Sequence, residues 1–220
     1  MPASAAEDLG QQDRLSRRAS TRTGRLSKRV LDLVGAFFLL VCLAPFILLL
    51  SILVKIQDGG PIFHRRRVVG PCGEFDAFKL RSMRVDADQI LAANPELRKE
   101  FEVNYKLKND PRVTPIGAFI RKGSLDELPQ LWNVLRGQMS LVGPRMITPA
   151  ELQKFGAARW IFNIVKPGLT GLWQVEGRQE VSYSERVAMD LFYVENWSLG
   201  LDLKILLKTP LRVIRGVGAY

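Results

Sequence analysis

Residues Leu33 to Val54, LVGAFFLLVCLAPFILLLSILV, carry no charged side chain, and this run restricts what the chain can become. As a helix its twenty-two residues would extend about 33 Å, enough to cross the hydrocarbon core of a bilayer. A cleavable signal peptide fits poorly, because the run is long and ends in Lys55-Ile56-Gln57 without a small-residue cleavage site. A buried core helix is the bland alternative, set against the fact that the run is apolar all round. Both flanks are basic. Arg14, Arg17, Arg18, Arg22, Arg25, Lys28 and Arg29 precede the run, and Lys55, Arg65, Arg66 and Arg67 follow it. Basic flanks are the signature of the cytoplasmic side, so a straight span would put one cluster on the wrong face. Pro45, near the middle, removes a backbone donor and clashes with the preceding turn. The pattern predicts a re-entrant helix-break-helix that enters and leaves one leaflet, with a true span as the competing topology. Asp32, at the entry, is expected to face lipid headgroups or to cap the helix.

The run divides the chain. Residues 1–26 are polar and lack apolar periodicity, which reads as a disordered basic tail. Residues 27–57 form the membrane hairpin, and residues 58–220 a catalytic-sized globular part on the cytosolic side. A net charge of +10 and a pI near 9.9 call for an anionic partner: nucleic acid, a phosphate-rich substrate or the anionic lipids of the inner leaflet. No nucleic-acid motif accompanies the charge, and the apolar run argues against that class. The cysteines, Cys42 in the apolar run and Cys72 in a Pro-Cys-Gly turn, suggest no disulfide framework. His64 has no neighbouring cysteine or histidine and is not a metal-ligand candidate.

The globular part reads as α+β and mostly helical, with short strands. Asp58-Gly59-Gly60-Pro61 is a turn leaving the membrane. Ile62-Phe63 and Val68-Val69 flank the basic triplet as a short hairpin or strand, with the arginines read as facing headgroups. FDAFKLRSM, Phe75 to Met83, alternates as a strand, with Lys79 and Arg81 on one face. Val85 to Lys106 is helical with Asn94-Pro95 interrupting it. Leu128, Leu131, Trp132 and Leu135 have helical spacing up to Gly137, and Ser184 to Glu195 is helical with Val187, Leu191 and Val194 on one face. From Leu199 to Arg215 apolar and basic residues interleave, which suits either an interfacial amphipathic helix or a core-packed one bent at Pro210.

The chemistry concentrates in SLDELPQLWNVLRGQMSLVGPR, Ser124 to Arg145. Asp126-Glu127 has two readings. Ser124-x-x-Glu127 matches a capping box. The same carboxylates, followed by Gly143-Pro144-Arg145 and preceded by Arg121, suit a magnesium-bound phosphate. An ionised aspartate is already a nucleophile, and a helix start would stabilise its anion. Arg121, Arg145 and Arg178 each adjoin a turn or helix start and are candidates to clamp phosphate oxygens.

In order along the chain stand a Pro-broken hydrophobic segment, FKLRSM, DPRVTPIGAFIRKGSLDELPQLWNVLRGQMSLVGPR, KPGLTGLWQVEGR and DLFYVENWSLGLDLKILLKT. This order resembles the bacterial sugar transferase family, the monotopic polyprenyl-phosphate hexose-1-phosphate transferases or small phosphoglycosyl transferases. Among them it is most similar to those that initiate exopolysaccharides with galactose or glucose phosphate. The resemblance covers residues 27 to 220. It implies a ping-pong reaction at the inner face of the bacterial cytoplasmic membrane, in which Asp126 attacks a UDP-sugar, releases UMP and passes the sugar phosphate to undecaprenyl phosphate. It implies Mg²⁺ held by Asp126 and Glu127. Phosphate-binding roles fall to Arg121 and Arg145, and less firmly to Lys79, Arg81, Gln174 and Arg178. Pro45 matches the helix-breaking proline, although Ala44 stands where the family often has serine, and Met146 follows Arg145 where proline is commoner. A non-catalytic membrane-tethered scaffold of envelope polysaccharide assembly is the alternative from another class. The sugar and the oligomeric state are not specified by the residues.

Overall fold

The computed structural model describes residues 22–104, 107, 110–177 and 181–214. Helix α1, Arg22–Asp58, runs for 37 residues with Pro45 inside it. The expected break is therefore a proline within a continuous helix. A single missing donor among leucine, phenylalanine and alanine neighbours interrupts the ladder without ending the turns. The helix also begins before residue 27, so residues 22–26 are helical and not part of the tail; residues 1–21 lie outside the described residues.

Both ends of α1 rest on the same globular body. Near its start, Ala36 is fully buried in the main core and Leu40 packs beside it. Near its end, Leu50 and Val54 form a second cluster with Leu80 and Ile120. Between and around these contacts Phe37, Phe38, Val41, Leu48, Leu49 and Ile52 are exposed, and only 17% of the most apolar window is buried. That exposure excludes the core-helix reading of the run.

The first turns of α1 are joined to the core by polar side chains. Asp32, expected at headgroups or as a helix cap, is instead buried in the core, accepting from Ser140 Oγ and Leu141 N–H, both at 2.9 Å. Lys28 pairs with Asp202 at 2.8 Å and donates to the Val142 carbonyl at 2.9 Å. Tyr193 and Trp197 donate to Asp202 from the other side. Arg29 caps the carbonyls of Val134 and Leu135 at 2.7 and 2.9 Å. At the other end, Arg81 grips Asp58 with two nitrogens and donates to the Pro61 carbonyl at 2.6 Å. Hydrogen bonding to Arg81 holds the Asp58 carboxyl down to about 2.

Strands β1, Phe63–Gly70, and β2, Gly73–Leu80, form an antiparallel hairpin: the basic triplet lies inside the single strand β1, the strand alternative for that stretch, and its partner is the strand expected from FDAFKLRSM. Arg67 reaches Glu74 and Asp76 across the hairpin, Arg66 pairs with Glu151, and Arg65 lies over the Phe78 ring at 5.8 Å, so all three arginines have protein partners. Two helices follow, α2, Ala87–Ala93, and α3, Pro95–Asn104, divided at Asn94 as the sequence suggests. Helix α4, Pro115–Lys122, is capped by Thr114, whose oxygen accepts from Gly117 N–H. A 3-10 turn, Leu125–Glu127, leads to α5, Gln130–Leu135. Strand β3, Ser140–Val142, lies parallel to β4, Gly168–Thr170. Between them come α6, Pro149–Leu152, a 3-10 segment, Gln153–Trp160, and α7, Ile161–Ile164. Helix α8, Leu172–Glu176, then α9, Tyr183–Glu195, and α10, Leu199–Ile214, complete the fold. In α10 Asp202 and Ile205 are buried, as the core-packed reading of its sequence expects, while Leu203, Leu207 and Leu211 are exposed in i, i+4 register.

Replacing Asp32 by Ala removes the acceptor for two buried donors. The expected loss is about 3 kcal/mol, roughly 8 °C in Tm, read by thermal unfolding of the full chain in detergent micelles; an unchanged Tm would refute the anchoring role of Asp32.

Candidate active site

The dyad is placed by backbone devices that leave little latitude. Ser124 has φ 52°, the sole positive φ at a non-glycine position among the described residues. Its side chain makes no capping bond, so the capping box does not form. The left-handed residue instead reverses the chain after α4 and starts the 3-10 turn that carries Asp126 and Glu127. Pro129 occupies the N-cap of α5, where its missing N–H costs nothing. Asn133 on α5 then bonds the open edge of β2, accepting from Phe78 N–H at 3.0 Å and donating to the Asp76 carbonyl at 2.8 Å. That registers β2 against the dyad and brings Lys79 to it.

Arg145 arrives from the opposite side. The strand before it is pinned by three bonds: Ser140 N–H to the Pro167 carbonyl, Gly143 N–H to Thr170 and Gly168 N–H to Pro144. The main chains cross so closely that a Cβ on Gly168 would lie 2.1 Å from Gly143 N, and one on Gly171 would lie 2.4 Å from the Gly143 carbonyl. The glycines of VGPR and PGLTG are thus required by close approach of two backbones.

Lys79, Asp126, Glu127 and Arg145 consequently form one cluster. Lys79 Nζ is 2.7 Å from Glu127 Oε1 and 3.7 Å from Asp126 Oδ2. Arg145 Nη2 is 3.3 Å from the same Glu127 oxygen. Both carboxylates are only 9% exposed. Burial works to raise each one. For Glu127 the charges of Lys79 and Arg145 prevail and bring it down to about 2. For Asp126 burial prevails, with the Glu127 charge adding to it against Lys79, so its pKa lies above the ordinary aspartate value. The expectation that a helix start keeps Asp126 ionised is therefore corrected. A single 3-10 turn supplies little dipole, and ionisation of Asp126 depends on the cations around it. Arg121 is one of these. Its Nε donates to Ser82 Oγ at 2.7 Å, and its charge favours ionised Asp126.

The other candidates fall elsewhere. Arg81, expected at phosphate, is committed to Asp58 and to backbone carbonyls at the foot of α1. The alternation that put it beside Lys79 ends with β2 at Leu80, and its side chain is only 8% exposed. Gln174 on α8 donates to the Leu169 carbonyl at 3.3 Å, and its buried Oε1 has no hydrogen-bond partner. It neighbours Trp173, whose ring lies under Arg145. Arg178 lies outside the described residues. Two residues escaped the reading of the sequence. Asn133 is fully buried, and a buried asparagine requires the partners that it finds on β2. Asp190 on α9 is 2% exposed and faces the backbone and guanidinium of Arg145; burial pushes its carboxyl up to about 8.

No group of three or more His, Cys, Asp or Glu side chains among the described residues could hold a metal ion unaided. Two adjacent carboxylates still fit Mg²⁺, which takes oxygen ligands from one or two carboxylates and completes its shell with water and substrate phosphate. Asp126 and Glu127 are the residues that would hold the ion.

The sequence matches the family described as Bacterial sugar transferase over residues 23–216. It is 46% identical over 211 residues to the UDP-galactose-lipid carrier transferase of Erwinia amylovora, covering 94% of this chain and 44% of that protein. It is 45% identical over 212 residues to the undecaprenyl-phosphate galactose phosphotransferase of Salmonella typhimurium, again 94% of this chain and 44% of the relative. It is 46% identical over 202 residues to the exopolysaccharide production protein ExoY of Sinorhizobium fredii, covering 90% of this chain and 89% of that one. The chain thus spans about half the length of the first two relatives and nearly all of the third.

Asp190 sets a pH signature. A carboxyl whose folded pKa is about 8 stabilises the fold fully below its unfolded value, near 4, and loses that contribution as pH rises through 8. Asp190→Asn keeps the acceptor oxygen and cannot ionise. The Tm of the variant minus that of the wild type is expected to grow from pH 5 to pH 8 and then level off; a gap independent of pH would refute the buried neutral carboxyl.

Proposed function

The chain belongs to the bacterial sugar transferase family, and on that premise we propose that it moves a hexose-1-phosphate from a UDP-sugar to undecaprenyl phosphate. This is the first membrane step of exopolysaccharide or other surface-glycan synthesis. The observation that carries the proposal is the buried pair Asp126-Glu127 held between Lys79 and Arg145, in a chain whose relatives are named for this transfer.

Asp126 is the nucleophile. One of its oxygens attacks the β-phosphorus of the UDP-sugar, and the bond from that phosphorus to the bridging oxygen breaks, releasing UMP. A sugar-phosphoryl aspartate remains. A phosphate oxygen of undecaprenyl phosphate then attacks the same phosphorus, frees the Asp126 carboxylate and yields undecaprenyl diphosphate-sugar. Both displacements use one phosphate site. Lys79 and Arg145 lower the cost of bringing anions together there, and Arg121 favours the ionised form of Asp126. Glu127, kept as an anion by the same cations, orients Lys79 and Arg145 toward the reacting phosphate. Mg²⁺, when bound through Asp126 and Glu127, would neutralise phosphate charge and favour the ionised aspartate.

The same reading places the protein at the cytoplasmic face of the bacterial inner membrane. The support is that both ends of α1 pack on one globular body while its middle exposes phenylalanine and leucine. A helix anchored in this way dips into one leaflet and leaves by the same side, with the exposed leucines of α10 and the arginines of β1 nearest the headgroups.

In purified full-length protein, Asp126→Asn is expected to lower turnover by at least about a thousandfold and Glu127→Gln by about a hundredfold. The assay follows radiolabelled sugar into a polyprenyl lipid together with UMP release. Full activity of Asp126→Asn sinks the nucleophile, and absence of labelled lipid from the wild type across a panel of UDP-sugars sinks the enzyme in favour of a scaffold. For topology, single cysteines at Ser27 and Gly59 in a Cys42→Ser/Cys72→Ser background are expected to react with an impermeant thiol reagent from the same side of a vesicle. Reaction from opposite sides would establish a span.

A further inference from the structure

Arg145 approaches the dyad as a long arm with 35% of its side chain exposed. Its root is fixed, since Arg145 bridges to Gly168 and the preceding Pro144 carbonyl accepts from Gly168 N–H at 2.8 Å. A fixed root does not fix a guanidinium several bonds away. The tip meets Glu127 at 3.3 Å and the ring of Trp173, with the guanidinium carbon 5.7 Å from the ring centroid. The same indole carries a second guanidinium, Arg186 of α9, at 4.7 Å. Trp173 is itself placed by the main chain: α8 begins after Gly171, which lies against the Gly143 carbonyl with no room for a Cβ. The turn bearing Arg145 and the helix bearing Trp173 are therefore locked together at backbone distance.

We infer that Trp173 is a positioning residue for Arg145, its ring presenting the guanidinium to the phosphate brought to Asp126. The inference rests on the phosphate-transfer reading of the site. An indole face attracts a planar, weakly hydrated guanidinium through its quadrupole. The stack restricts Arg145 before substrate arrives, so less rotamer freedom is lost when phosphate binds. Arg186 on the same ring adds a second positive charge next to Trp173.

A double-mutant cycle tests this. Trp173→Leu is expected to lower kcat/KM for the UDP-sugar about tenfold in the wild-type background. In an Arg145→Lys background, where the planar fork is gone, the same change is expected to cost less than about threefold. Trp173→Phe, which keeps a ring, is expected to recover most of the loss with Tm unchanged. Equal losses in both backgrounds, or a loss that Phe does not recover, would overturn the inference and leave Trp173 a packing residue. Should Trp173→Leu fail to fold, Trp173→Phe in the two backgrounds makes the same comparison, with about a twofold loss expected in the first and none in the second. Absence of turnover in the wild-type chain would sink the reading of the site and this inference with it. Wild-type turnover with additive losses would sink this inference alone.

Discussion

Two carboxylates side by side in a buried pocket cannot both be charged unless cations are brought to them, and the fold is arranged around that requirement. The cations come from different parts of the chain. Lys79 is on β2, the second strand of the hairpin that follows α1, Arg121 lies near the end of the helix just before the dyad, and Arg145 follows β3. Each is delivered by a backbone device: the Asn133 clamp on β2, the left-handed Ser124 between α4 and the 3-10 turn, and the glycine crossing of β3 and β4. The outcome is asymmetric. Glu127 takes the cations by direct contact and is firmly ionised, while Asp126 stands slightly apart and holds its proton more strongly. Two neighbours of like chemistry are thereby assigned different tasks.

Helix α1 is more than an anchor. Arg29 terminates α5, the helix that follows the dyad, and Asp32 receives the first donors of β3, the strand that leads to Arg145. Lys28 enters a buried network with Asp202, Tyr193 and Trp197, which reaches α9 and α10. The apolar middle of α1 is exposed, and its polar ends are engaged with the core that carries the dyad.

Much of this was legible in the residues. Helical spacing located α2, α3, α5, α9 and α10, and the alternation of FDAFKLRSM located β2, because each of these patterns reports one buried face. The residues alone left Asp126-Glu127 open between a capping box and a phosphate site, and the structure brings the pair together with Lys79 and Arg145. What escaped were the partners of polar side chains. Local sequence points Asp32 to headgroups or a helix cap and Arg81 to phosphate, yet both are consumed in fixing α1. Their partners lie 108 and 23 residues away, a relation that no local pattern contains. The capping box failed for the converse reason: its local pattern was satisfied, and a left-handed Ser124 overrode it.

The crossing of β3 and β4 has a consequence for how such a chain can diversify. Backbone bonds at Gly143, Pro144 and Gly168 close the stretch from 145 to 168 at its base, like the neck of a purse. Everything in that loop, including α6 and α7, can lengthen, shorten or change partners without moving Arg145, provided that Met146, Ile147, Phe155, Ile161 and Phe162 still find apolar neighbours. The neck admits no side chain at Gly143 or Gly168. Variation is thereby confined to the pouch, and a graft exchanged between relatives has natural ends at these two glycines.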